Sequence, residues 1–215
     1  VSATEGAPRA VQGPDAELLA GARLLAAAPF VLVSIEEVRA AAGTDAASTR
    51  YASMHELGSA VLDHERGSMH AVQARVTTAA TDPLDLLRRT FHAIGELLAD
   101  DAIVRAGIRI AFESREHFPE RRLDPFATWS SFAAACLTAA RAKGLLRPDL
   151  DVESAAWVVV AASIGTKDYL ALHDRWPEAP ERFDGTLDAL LPLLALPRAD
   201  GAAASIVDQH IEEAE

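Results

Sequence analysis

Three consecutive titratable residues, Asp63-His64-Glu65, are the first chemistry the sequence offers. Carboxylates and imidazoles move protons near neutral pH, so Glu65 with His64 is a candidate acid-base pair for a cofactor-free reaction such as a cyclisation or dehydration. The plainer alternative is a solvated helix edge with one residue turned inward. His55, His64 and His70 are separated by nine and six positions, so no pair has the i, i+4 spacing of a helical metal site, and no metal is expected. The sequence contains no G-x-S-x-G, Walker, G-x-G-x-x-G or C-x-x-C pattern, and no cofactor is expected. A second group, Ser48, Thr49, Arg50, Tyr51 and Ser53, supplies hydroxyls and a guanidinium in one short stretch. These are the donors that a helix uses to reach phosphates and base edges in DNA.

Both groups must be positioned by helices. The chain has 215 residues, 50% of them apolar and 24% charged, with few aromatics and abundant Ala, which favours an all-α globule. Leu18, Ala22 and Leu25 mark a first helix after Pro14-Asp15, ending near Pro29. Ser34 and Glu37 form a capping-box pattern, so a short helix should run from Ile35 to about Ala42 and stop at Gly43. Residues 44–52 are the candidate second helix of a helix-turn-helix, and residues 56–78 a long helix that carries Glu65. Asp82 and Pro83 cap the next helix, with Leu84, Leu87, Phe91, Ile94 and Leu98 at 3-4-3-4 spacing. Asp100-Asp101 start a short amphipathic segment, and residues 113–124 read as a charged surface connection. Phe126, Trp129, Ala133, Cys136 and Ala140 repeat the same spacing. Residues 152–173 are apolar on two faces, the pattern of a helix held between its own core and a partner. Pro177 and Pro180 are expected to break that helix, and residues 186–196 to form a last one interrupted by Pro192. Paired with their copies, the two terminal helices would make a four-helix bundle, so a homodimer is expected.

Charge restricts the partners. The formal net charge is -12 and residues 1–66 hold 5 basic against 9 acidic residues, which opposes non-specific attraction to nucleic acid or an anionic membrane. With no uncharged apolar run of spanning length and no basic-apolar leader, a cytoplasmic protein is expected. The single Cys136 falls on an apolar helix face, where a buried small hydrophobe is expected.

The order of elements resembles the TetR family of one-component regulators, and the body resembles its γ-butyrolactone receptor branch. The run from Asp101 to Ile110, DAIVRAGIRI, is close to the branch pattern D-P-V-V-R-x-G-I-R-L. Trp129, Ala142-Lys143-Gly144-x-Leu146, Asp151-Val152-Glu153 and Ala60-Val61-Leu62-Asp63 also match. The similarity covers residues 16–196, strong in the body and weak in the head. Where the branch carries T-x-G-x-L-Y-x-H-F-x-S-K, this chain reads TDAASTRYASM from Thr44 to Met54, about two residues short, and only Tyr51 and Ser53 have counterparts.

The resemblance implies a disordered arm over 1–13, a three-helix helix-turn-helix-like head over 14–65, a ligand-binding and dimerisation body over 66–197 and a flexible tail over 198–215. It implies that Trp129 lines a small-molecule pocket walled by the helices bearing Glu65, Phe91, Ile108, Phe112, Trp129 and Ile164. Glu65 and Ile164 stand where the branch places a ligand-binding Gln and Thr, so the polar chemistry of the pocket is altered. A carboxylate at Glu65 facing apolar walls should have a raised pKa. The implied ligand is a small hydrophobic molecule, such as a butyrolactone or a pathway intermediate. The implied role is ligand-responsive control of transcription in antibiotic biosynthesis, with a degenerate helix-turn-helix. Two readings of the head stay open: a scaffold without DNA contact, and a dimeric operator reader using Ser48, Thr49, Arg50, Tyr51 and Ser53. An enzyme that has recruited the pocket is the rival class.

Overall fold

The computed structural model describes residues 16–45 and 47–195; the expected arm and tail lie outside the described residues. Eight α-helices follow in order: α1 (Ala16–Ala27), α2 (Ile35–Ala42), α3 (Met54–Ala79), α4 (Pro83–Asp100), α5 (Ala102–Glu113), α6 (Pro125–Ala142), α7 (Val152–Leu172) and α8 (Ala179–Leu194). The fold is all-α, with short 3-10 turns in several connections.

Local capping chemistry sets most of these boundaries. The Ser34 Oγ accepts the Glu37 N–H at 3.2 Å, and Glu37 Oε2 accepts the Ser34 N–H at 2.8 Å, closing the expected capping box on α2. Gly43 ends α2 in the left-handed region at φ 70°, where a side chain would be strained. Asp82, Asp101, Asp124 and Asp151 each accept backbone N–H groups at the starts of α4, α5, α6 and α7.

Three local expectations fail. Residues 44–53 form no helix among the described residues; a hydrogen-bonded loop stands in its place. Pro177 and Pro180 do follow the end of α7 at Leu172, but Pro180 sits in the first turn of α8, where a proline lacks only an N–H that has no partner anyway. The last helix therefore begins at Ala179, seven residues before the expected 186, and absorbs Pro192. The connection from 114 to 124 is charged, yet its Phe118 is wholly buried against Phe30 and His55, with ring centroids at 5.1 and 5.0 Å. Burying such a ring contributes about 1.5–3 kcal/mol, so the connection is an anchor as well as a surface.

Two cores organise the helices. In the first, Leu25 of α1, Val38 of α2 and Leu57 and Val61 of α3 pack with Ile103 and Ile110 of α5. The head thus closes on α5 of the body, across the expected boundary at residue 65. The second core joins α4, α6, α7 and α8 through residues such as Leu87, Leu137, Val159 and Leu187. Cys136 is buried in it, and burial pushes its thiol up to about 11. α7 buries Val152, Ala156 and Val160 on one face while Trp157, Val158, Tyr169 and Leu172 stay exposed on others. By length and composition alone this helix could also cross a membrane.

Candidate functional site

Between the two cores, α3, α4, α5, α6 and α7 enclose a cavity of about 70 Å³. All six residues singled out for the pocket, Glu65, Phe91, Ile108, Phe112, Trp129 and Ile164, line it. Phe91 lies 6.1 Å from Trp129 between ring centroids, and Trp129 stands edge-on to Phe132. The aromatic wall is a consequence of the 3-4 spacing on α4 and α6, which turns Phe91 and Trp129 to facing stripes.

Glu65 is the acidic group in this wall. Burial pushes its carboxyl up to about 7, opposed by the Arg66 charge. In an apolar setting the neutral acid is favoured, so at neutral pH Glu65 can either donate or accept a proton. His64 is not part of this arrangement. Its Nε2 lies 2.7 Å from Asp101 Oδ2, tying α3 to the N-terminus of α5. The candidate pair is therefore separated: consecutive residues on a helix point about 100° apart, and only Glu65 lines the cavity. Asp63 is likewise turned away, bonded to Arg121. No cluster of three or more His, Cys, Asp or Glu able to hold a metal occurs among the described residues.

Several wall residues escaped the sequence reading: Met69, Leu98, Val160, Ser163, Lys167 and Phe183. Lys167 places its ammonium 4.8 Å from the Phe112 ring centroid and 2.6 Å from Asp168 Oδ1. Ser163 Oγ donates to the Val159 carbonyl at 2.8 Å. Helical periodicity carried from Ile164 would have reached Val160 and Lys167. Phe183 required the earlier start of α8. A second chamber of about 290 Å³ adjoins the first through Glu65, Met69, Ile94, Ala111, Pro125 and Trp129. The inner cavity alone is smaller than the roughly 300–1,000 Å³ of small-molecule sites; the two together reach its lower end.

The head loop places the DNA-contact candidates differently from a recognition helix. Ser48 bonds back to Asp45 Oδ1 through its hydroxyl at 2.7 Å and its N–H at 2.8 Å. Thr49 Oγ1 accepts from Arg39 Nε at 3.2 Å and donates to the Tyr51 carbonyl at 3.0 Å. Tyr51 is buried in the head core, and Ser53 caps α3 by accepting the Glu56 N–H at 3.2 Å. Arg50 is exposed, its guanidinium 6.0 Å from the Tyr51 ring centroid. Arg39 also donates to the Tyr51 carbonyl at 3.2 Å. The loop is fastened by Glu17, 3% exposed on α1, whose carboxylate accepts Thr44 Oγ1 at 2.7 Å and the Arg50 N–H at 2.8 Å. Burial pushes Glu17 up, but these and further hydrogen bonds outweigh it and hold the acid below its usual range.

Comparison with known proteins agrees with this architecture. Residues 81–183 match the family model described as Tetracyclin repressor-like, C-terminal domain. The chain superposes on the TetR family protein CprB from S. coelicolor A3(2) with a TM-score of 0.67 at 22% identity, over 85% of this chain and 89% of that one. A γ-butyrolactone receptor described as ArpA-like gives 0.64 at 20% identity, over 83% and 95%. SmeT, the repressor of the Stenotrophomonas maltophilia multidrug efflux pump SmeDEF, gives 0.63 at 18% identity, over 88% and 95%. No curated protein sequence matches the chain. The fold is that of a TetR-type regulator.

Proposed function

We propose that this TetR-fold chain is a ligand-responsive transcriptional regulator of secondary metabolism. It works as a cytoplasmic homodimer related to γ-butyrolactone receptors and pseudo-receptors, with an altered pocket and a weakened hold on operator DNA. One observation carries the proposal. α3 runs unbroken from Leu57 in the head core to Glu65 and Met69 in the cavity wall. A ligand that displaces this wall must tilt a helix whose other end holds the head, which is a physical route from cavity to DNA.

Dimerisation is supported by the exposed apolar side chains of α7 and α8: Trp157 at 57%, Tyr169 at 45%, Leu172 at 80% and Leu193 at 68%. Large apolar groups gathered on two adjacent helices mark a surface made to be covered. Weakened DNA binding is supported by the loop over 44–53, in which Ser48, Thr49, Tyr51 and Ser53 serve the head's own structure through their side chains and Arg50 through its backbone N–H. The acidic head adds repulsion from phosphate.

The test is a mobility shift of the full chain on the DNA upstream of its own gene, at low and at physiological salt, with and without an added butyrolactone. A shift at low salt that weakens steeply with salt and is released by ligand is the expected result. No shift at low salt would refute the operator claim.

A second reading, an enzyme of cyclisation or dehydration, rests on the Glu65 carboxyl, which sits near 7 in an apolar wall. His64 has no part in it. Glu65→Gln should then abolish turnover of a pathway intermediate while the fold persists.

A further inference from the structure

The outer chamber is chemically unlike the inner one. Arg66, Arg121, Arg122, His70, Gln73 and Thr128 contribute to its lining, whereas the inner cavity is walled mainly by aliphatic and aromatic groups. Three guanidinium groups line it with two carboxyl groups, the partly buried Glu65 and Asp124, whose Oδ1 already accepts the Ala127 N–H at 2.9 Å. Arg121 is held by Asp63 and by the Ser59 carbonyl. Arg66 and Arg122 are exposed, and their guanidinium groups make no hydrogen bond among the described residues. In a chain of net charge -12, two guanidinium groups free of hydrogen bonds at the mouth of an apolar cavity, Arg66 also lying near the Asp63 and Glu65 carboxyls, are a local reversal of sign.

We propose that the ligand is an anionic amphiphile: a carboxylate whose apolar part enters between Phe91, Trp129 and Ile164, and whose head is held by Arg66 and Arg122. This rests on the reading of the inner cavity as a small-molecule site. The fork of a guanidinium matches a carboxylate in two parallel hydrogen bonds, which a neutral lactone or alcohol cannot equal. Glu65, on the wall between the chambers, is compatible with an anionic neighbour because its burial favours the neutral acid, which can donate a hydrogen bond to the head.

The opening on the other side of the cavity does not compete. A groove between α1, α5 and α7 shares Leu98, Ile108 and Lys167 with the inner cavity and also holds Arg23, Arg105 and Arg109. There Arg105 donates to the Leu98 and Ala99 carbonyls, Arg109 to the Leu25 and Ala26 carbonyls and to Glu113, and Lys167 pairs with Asp168. Glu113, Asp168 and Asp174 line that groove as well. Arg105, Arg109 and Lys167 are thus committed, and the groove's three carboxylates would repel an anionic head.

Calorimetric titration of the full chain with octanoate and with octan-1-ol at one pH tests the assignment. Octanoate should bind at least about tenfold tighter than octanol. The double variant Arg66→Gln/Arg122→Asn should remove that advantage and leave octanol binding unchanged; Asn is chosen because it tolerates the φ of 49° at position 122. Arg23→Gln, in the other opening, should change neither affinity. Equal binding of the two probes, or an octanoate preference that survives the double variant or falls with Arg23→Gln, would overturn the head-group assignment while leaving the inner cavity as a ligand site. Failure of both probes to bind would overturn the cavity reading itself.

Discussion

Gly107 on α5 faces Glu65 on α3 so closely that a Cβ at position 107 would lie 2.5 Å from the Glu65 Cβ and 3.3 Å from the Val61 carbonyl oxygen. The missing side chain is what lets the two helices meet beside the cavity wall, and it ties the geometry of Glu65 to the packing of α5. Gly107→Ala should therefore force α5 away from α3 and destabilise the fold by about 1–3 kcal/mol, as overpacking does. Urea unfolding of the variant against the parent protein measures this. Unchanged stability would mean that the helices slide apart without penalty.

Glu65 predicts a pH dependence with a definite sign. Its folded pKa is raised from 4.5 to about 7, so between those values the unfolded chain loses the proton first and the folded chain holds more protons. Stability should fall as pH rises through this window. The penalty is absent below about pH 4.5 and complete above about pH 7, and amounts to on the order of 3 kcal/mol. Glu65→Gln should abolish this component, so the variant gains on the parent between pH 5 and pH 8 in paired denaturation curves. A pH-independent difference would show that Glu65 ionises freely in the fold.

Glu17 predicts the opposite sign. Its acid is held below the ordinary value, so it contributes stability above about pH 4.5 that is lost as pH falls through the lower folded value. Glu17→Ala leaves the Thr44 hydroxyl and the Arg50 N–H without their acceptor and should cost about 1–3 kcal/mol at neutral pH. Limited proteolysis should find the 44–53 loop cut sooner. Resistance equal to that of the parent protein would place the fastening of the loop elsewhere.

The exposed face of α7 gives the fourth prediction. Trp157→Glu with Leu172→Glu should convert a dimer to a monomer in sedimentation velocity while leaving helical circular dichroism unchanged, because both side chains are exposed in the single chain. A dimer that persists would remove α7 from the interface.

The sequence by itself determined the features that depend on near neighbours. The capping box at Ser34 and Glu37, the Asp caps of α4, α5, α6 and α7, the Gly43 stop and the apolar stripes through Phe91 and Trp129 are governed by bonds and spacings within a turn or two of helix. Phe91 and Trp129 were legible from those stripes, while Glu65, Ile108, Phe112 and Ile164 came from the family resemblance, which also said which faces meet. Only the tertiary structure decided the rest. The loop over 44–53 keeps its shape because Glu17, 27 positions before Thr44 in the chain, supplies its acceptor, and no local spacing reveals that. Phe118 is buried in a charged connection because Phe30 and His55 close over it. Glu65 and His64 parted because helix rotation sends one to the cavity and the other to Asp101. A carboxyl's proton affinity follows from the dielectric and charges around it in space, and that environment is assembled only when α3, α5 and α6 pack together.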